Sequence, residues 1–204
     1  MKENLVYYFD KYKCDKGNLK HRYDRVYELA LAPLRDKEFD ILEIGIFKGN
    51  SIEALVEYAP QARVLGLDTF QRIKPEDISI LKHPNVEWIK CDSTEPTTLN
   101  GMFDIIIDDG LHTHEAQRKT FENFFPLLKD NGVYFIEDVW PFDIMSSTEK
   151  QHPWLKKHPT EWNDKEYTKL LEAVSPYNVT FHDIRKGHDP DTFIIEIQKC
   201  SLQK

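Results

Sequence analysis

FDILEIGIFKGNSIEALVEYA, residues 39–59, reads as strand, turn and helix in immediate succession. Residues 39–46 form a short apolar run that enters a glycine turn, and IEALVEYA is amphipathic at helical spacing. The unit recurs downstream. RVLGLD (63–68) and VEWIKCD (86–92) read as strands that each end in an acid, with PEDISIL as a short helix between them. FDIIIDDG (103–110) carries the continuous apolar run of a strand buried on both faces. Phe121, Phe124, Phe125 and Leu128 mark the stripe of the next helix; Asn131-Gly132 breaks it, and VYFIED (133–138) is a fifth strand. A helix over 164–174 precedes two strand-like runs, 179–184 and 192–197, separated by a segment short enough for a hairpin. This alternation predicts an α/β sandwich: a mostly parallel central sheet, a C-terminal antiparallel hairpin, and helices on both faces.

Working outward, the first forty residues read as helices, with Tyr23, Val26, Tyr27, Leu29, Ala30 and Leu34 at helical spacing. The chain has 204 residues, the size of one domain. Lys plus Arg is 27 against 35 Asp plus Glu, a net charge of −8. That balance argues against a nucleic-acid backbone or an anionic membrane as partner, because both reward a basic face. Three scattered cysteines form no CxxC pair, so neither a disulfide framework nor a zinc–cysteine site is indicated. No apolar run approaches the roughly 18 residues that span a bilayer, and the first residues lack the apolar core of a signal peptide. The expectation is a soluble, acidic, cytoplasmic domain.

In an open parallel sheet, ligands bind at the carboxyl ends of the strands, where the strand order reverses. Glu43, Asp68, Asp92, Asp108 and Asp109 fall at or near such ends, and Gly45 and Gly49 frame the first turn so that backbone can approach a ligand. Dinucleotide sites use G-x-G-x-x-G to seat a pyrophosphate on a helix N-terminus. Here the run is E-I-G-I-F-K-G-N-S, and an acid before the first glycine repels a pyrophosphate but pairs with an ammonium group. Asp68 can accept from ribose hydroxyls, and Asp92 from an adenine amine. ILEIGIFKGNS followed by LGLD resembles the cofactor region of class I S-adenosylmethionine-dependent methyltransferases. The resemblance implies their Rossmann-like fold, a methionine-binding turn from Glu43 through Gly45 to Gly49, and ribose on Asp68. Ser51, Asp92 and Asp108 complete the cofactor-binding set.

A second cluster follows strands four and five: Asp108-Asp109-Gly110-Leu111-His112-Thr113-His114, and Glu137-Asp138. Neighbouring strands lie about 4.8 Å apart, so the two ends converge if the strands are adjacent. Four carboxylates that close together repel, so either some are protonated or a cation neutralises them. Oxygen ligands favour a hard ion such as magnesium. His112, three residues after Asp109, is suited to act as base toward a hydroxyl near neutral pH. DDG-x-H with a following IED, together with the upstream DKG-x(3)-H-x-Y-x(3)-Y of residues 15–27, is similar to the magnesium-dependent sugar O-methyltransferases of macrolide tailoring. By that resemblance Asp109, Glu137 and Asp138 are ligands of Mg2+ (or Mn2+), His112 is the general base, and a sugar hydroxyl accepts the methyl group. Leu111 departs from the small polar residue usual there. The resemblance runs from Lys11 to Asp138; the chain is expected to be one methyltransferase domain over 1–204, with a helical extension over 1–38 and an acceptor lid over 141–163. The chain is either a free enzyme, possible as a homo-oligomer, or a module of a larger glycan-assembly protein.

Plainer readings stand beside these. Asp108 or Asp109 can cap the next helix, His112 with His114 can be half of a zinc site, and Glu137 and Asp138 can be solvated loop acids. Tyr23 and Tyr27 read as core, with one facing the cofactor as the alternative. Trp140, Phe142, Trp154 and Trp162 can stack on a sugar or simply pack, residues 150–157 read as a solvated loop, and 188–191 as a turn. Rival functions are catechol-type O-methylation, an iron-dependent oxygenase on the same scaffold, and a non-catalytic binding module.

Overall fold

Alternation along buried strands sorts the apolar residues into two layers. The computed structural model describes residues 2–141, 164–185 and 189–200. Its strands are β1 (Phe39–Ile44), β2 (Ala62–Asp68), β3 (Val86–Lys90), β4 (Phe103–Asp108), β5 (Leu128–Ile136), β6 (Asn178–Asp183) and β7 (Phe193–Gln198). The helices are α1 (Leu5–Lys11), α2 (Asp24–Leu31), α3 (Asn50–Tyr58), α4 (His114–Phe124) and α5 (Asp164–Val174). One seven-stranded sheet runs β3-β2-β1-β4-β5-β7-β6. β1 to β5 pair in parallel, and β7 pairs antiparallel with both β5 and β6. The sheet and its terminal hairpin are those expected from the sequence. The order reverses between β1 and β4, which opens the crevice at their carboxyl ends.

Ile41, Ile105, Ile107 and Phe135 bury on one face beneath α1, α2 and α3. Leu42, Ile44, Ile106, Tyr134 and Ile136 bury on the other, beneath α4 and α5. Each such side chain stabilises the fold by about 1.5–3 kcal/mol, and their parity fixes which way the next residue of each strand points. Continued past the strand ends, it sends Glu43, Asp109 and Glu137 to the α1–α2 face and Asp108 to the other.

Several local expectations change. Leu29 is 75% exposed and does not belong to the buried stripe of α2. α4 ends at Phe124, just before Pro126, so Leu128 opens β5 rather than closing a helix. Asn131-Gly132 lies inside β5: Asn131 is left-handed (φ 62°), and the register to β4 shifts at this irregularity. The stretch PEDISIL forms two short turns, Pro75–Asp77 and Ser79–Lys82. The lid expected over 141–163, the aromatic residues Phe142, Trp154 and Trp162, and the loop over 150–157 lie outside the described residues. Trp140 is buried in the α4–α5 layer. Among the described residues no helix is long and apolar enough to cross a membrane.

Candidate active site

Backbone hydrogen bonds carry the sheet one residue beyond its strands and bring the acids together. Asp109 N–H donates to Ile44 C=O (2.9 Å), Glu137 N–H to Asp108 C=O (3.0 Å), and Gly45 N–H to Leu67 C=O (2.8 Å). Gly45 is left-handed (φ 94°), and a Cβ there would lie 1.9 Å from the Asp109 carbonyl oxygen. Glycine is therefore required by the approach of the β1 and β4 ends to one another. Gly49 (φ 81°) faces Ile80 in the same way, at 2.5 Å. Both glycines are explained by contacts within the protein, where the sequence suggested approach to a ligand.

Asp109, His112 and Asp138 converge, each offering a ligand atom within 4.8 Å of the others. His112 Nε2 lies 3.7 Å from Asp109 Oδ1 and 3.7 Å from Asp138 Oδ2. Asp138 is left-handed (φ 51°), which Asp tolerates better than most residues. That breaks the strand alternation and keeps its carboxylate with Glu137 on the α2 side, where Tyr23 donates to Oδ1 at 2.5 Å.

Glu137 is held differently. Its Oε1 accepts from the Tyr27 hydroxyl and its Oε2 from Lys16 Nζ at 2.6 Å, while the same ammonium reaches Asp109 Oδ2 at 2.5 Å. Lys16 is only 2% exposed. Burial works against its charge, but Asp109, Glu137 and Tyr27 outweigh it and hold its pKa well above the usual lysine value. Burial raises Glu137 strongly and Asp109 as well, with Lys16 pulling both down. Burial would also raise Asp138, but His112, His21, the Tyr23 hydroxyl and Lys16 together bring it below the ordinary carboxylate range. A cation supplied by the chain sits among the crowded acids; on the other face of the sheet burial pushes Asp108 up to about 8.

The cofactor side carries unpartnered buried atoms: Glu43 Oε2, Ser51 Oγ and Asp108 Oδ2. Burial pushes Glu43 up to about 7 against the pull of Lys16. Asp68 accepts from Ile46 and Phe47 N–H on Oδ2 and from Phe70 N–H on Oδ1, so it ties down the loop after β1. Those three bonds leave one lone-pair site, on Oδ1, rather than room for two ribose hydroxyls. Asp92 is exposed beyond β3 and accepts from Thr94 N–H and Oγ1.

The cap of α4 is Thr113, whose hydroxyl oxygen accepts from Ala116 N–H, so neither Asp108 nor Asp109 caps it. His114 bonds the Trp140 carbonyl at 2.8 Å, away from the acids, which removes it as a zinc partner of His112. Lys16 and His21 lie in the motif of residues 15–27 but carry no assigned role in the sequence reading, and Tyr23 and Tyr27 read there as core, with one facing the cofactor as the alternative. Their rings are core, Tyr27 lying edge-on to Phe135 at 4.8 Å, but both hydroxyls serve the acids. The available signal was the Tyr-x(3)-Tyr spacing, one helical turn, facing two consecutive acids. Gly17 marked the rest: a Cβ there would lie 2.9 Å from Phe9 Cβ, so the turn carrying Lys16 presses directly on α1.

Residues 42–139 match the family model described as a methyltransferase domain. The chain is 31% identical over 141 residues to the 8-demethyl-8-(2-methoxy-alpha-L-rhamnosyl)-tetracenomycin-C 3'-O-methyltransferase of Streptomyces olivaceus, covering 64% of this chain and 35% of that protein. It is 32% identical over 146 residues to the L-olivosyl-oleandolide 3-O-methyltransferase of Streptomyces antibioticus, with 64% and 37% covered. It thus spans little more than a third of the length of these curated relatives. Its fold superposes on MycE methyltransferase from the mycinamycin biosynthetic pathway, solved with Mg and SAH, with a TM-score of 0.71. That match has 21% identity and covers 98% of this chain and 55% of the other. Fold, strand-end site and matches together make this chain similar to class I S-adenosylmethionine-dependent methyltransferase domains. Within that class the chain resembles the sugar O-methyltransferases of macrolide tailoring.

Proposed function

We propose that this chain transfers a methyl group from S-adenosylmethionine to a sugar hydroxyl, with His112 as base beside a divalent ion. The observation that carries this reading is the convergence of Asp109, His112 and Asp138 at the β4 and β5 ends, next to Glu43 at the end of β1, whose Oε2 is buried without a hydrogen-bond partner.

The donor set fits both groups. Glu43 would pair with the donor's ammonium, and the N-terminus of α3, whose Gly49 cap supplies no side chain, would favour its carboxylate. Asp68, Ser51, Asp92 and Asp108 would serve the rest of the donor. Asp109, Glu137 and Asp138 would hold Mg2+ or Mn2+. When bound, the donor supplies an electrophilic methyl group on a good leaving group, and the ion lowers the pKa of the acceptor hydroxyl. His112 receives the hydroxyl proton as the oxygen gains the methyl carbon, a contribution of roughly 10²–10⁴-fold. Asp109 and Asp138 both lie within 4 Å of Nε2 and flank the ring.

Isothermal binding of S-adenosylmethionine, followed by methyl transfer to deoxysugar-bearing and phenolic-diol acceptors with and without chelator, tests the reading. Sugar methylation that stops on chelation and returns with Mg2+ is expected; transfer undiminished by chelation removes the ion, and preference for the phenolic diol replaces the acceptor. His112→Asn should lower kcat by at least 100-fold while leaving donor and Mn2+ affinity intact. Loss of Mn2+ binding in that variant would make His112 a ligand instead of a base.

A further inference from the structure

On the reading above, two cation positions share one carboxylate. Asp109 turns Oδ1 toward His112 and Asp138, and Oδ2 toward the Lys16 ammonium. Glu137 stands outside the Asp109–His112–Asp138 group, and Lys16 and Tyr27 engage its two oxygens. Lys16 Nζ contacts both acids at hydrogen-bond distance, and its side chain is 2% exposed, so water does not share its charge. A divalent ion taking Glu137 together with Asp109 would meet a positive charge on the oxygens it needs.

We infer that Lys16 is a built-in counter-ion that competes with the divalent ion for Glu137, so that this carboxylate joins the metal's donors only when the ammonium leaves it. Before the ion arrives, the lysine holds two mutually repelling acids in place. Once it is there, the ammonium sets how tightly the ion is held. The site thus trades metal affinity for stability without metal, and the trade lies in one residue of the turn between α1 and α2.

The test is direct binding of Mn2+, followed by electron paramagnetic resonance, to the whole chain. Lys16→Met keeps the length of the side chain and removes its charge. It should bind Mn2+ about tenfold more tightly or better, a change of about 1.4 kcal/mol or more, and the added Glu137→Gln should abolish that gain. Equal or weaker binding by Lys16→Met, or a gain that survives Glu137→Gln, overturns the inference. If Lys16→Met does not fold, the wild-type chain with 15N-labelled lysine answers the same question. The shielded Lys16 ammonium resonance should shift as Mg2+ is added, and an unmoved resonance at saturation overturns the proposal. Mn2+ binding to neither protein would instead remove the metal from the proposed function. Binding of equal strength to both would leave the metal in place and discard only the role of Lys16.

Discussion

Glu43, proposed above to meet the donor's ammonium, carries a cost in the free fold. It is 1% exposed, and its carboxyl is pushed up to about 7 by burial. The folded state therefore keeps a proton that the unfolded chain releases above its ordinary value near 4.5. The stability this brings is full at pH 4.5 and is lost as pH rises through 7, a difference of about 3 kcal/mol. Glu43→Gln should consequently unfold at higher urea than wild type at pH 8, with little difference at pH 4.5. The same substitution should weaken S-adenosylmethionine binding by about tenfold or more, the loss of a charge-assisted pair, as calorimetry would show. A variant stabilised at pH 8 with undiminished donor affinity would remove Glu43 from the donor site.

At the scale of elements, α2 carries more than its buried stripe. Tyr23 and Tyr27 stand one turn apart and meet Asp138 and Glu137, two consecutive residues made parallel by a left-handed backbone. Tyr27→Phe leaves a buried carboxylate oxygen without its donor and should destabilise the chain by about 1–3 kcal/mol, read from urea unfolding. Tyr23→Phe should cost less, because Asp138 also has His21 and His112 within 4 Å. Helix α4 holds a second titratable device at its start. Burial lowers His114 to about 4, so the unfolded chain takes up a proton near 6.5 that the folded chain refuses. Stability is then complete above pH 6.5 and falls by about 3 kcal/mol as pH drops toward 4. His114→Gln, which can still donate to the Trp140 carbonyl, should flatten that acid limb in unfolding measured from pH 7 to pH 4.

For the whole molecule, a donor that binds only the folded chain links the crevice to global stability. The product S-adenosylhomocysteine at a hundred times its Kd should add about 2.7 kcal/mol and raise Tm by about 5–11 °C; a scan showing no rise would remove the crevice as a donor site. The mostly parallel sheet and the terminal hairpin were legible in the sequence, because alternating strands and helices at this spacing allow few arrangements; the strand order was not. The sequence grouped Asp109, Glu137 and Asp138 with His112 beside them; the structure brings Asp109, His112 and Asp138 together and leaves Glu137 on Lys16, because a left-handed Asp138 breaks the alternation. What escaped was long-range and local in turn. Lys16 reaches across 93 residues to Asp109 and 121 to Glu137, and no periodicity marks a buried ammonium. The end of α4 was misplaced because Phe125 and Leu128 continue an apolar stripe that Pro126 interrupts.

Lys16, His21, Tyr23 and Tyr27 all precede β1. A version shortened to begin at residue 39 would keep every strand and the clustered acids Asp109, Glu137 and Asp138, while losing these neighbours and keeping His112. Anyone transplanting this acidic edge into another scaffold must therefore carry over the opening turn along with the sheet, or supply a substitute for its charge.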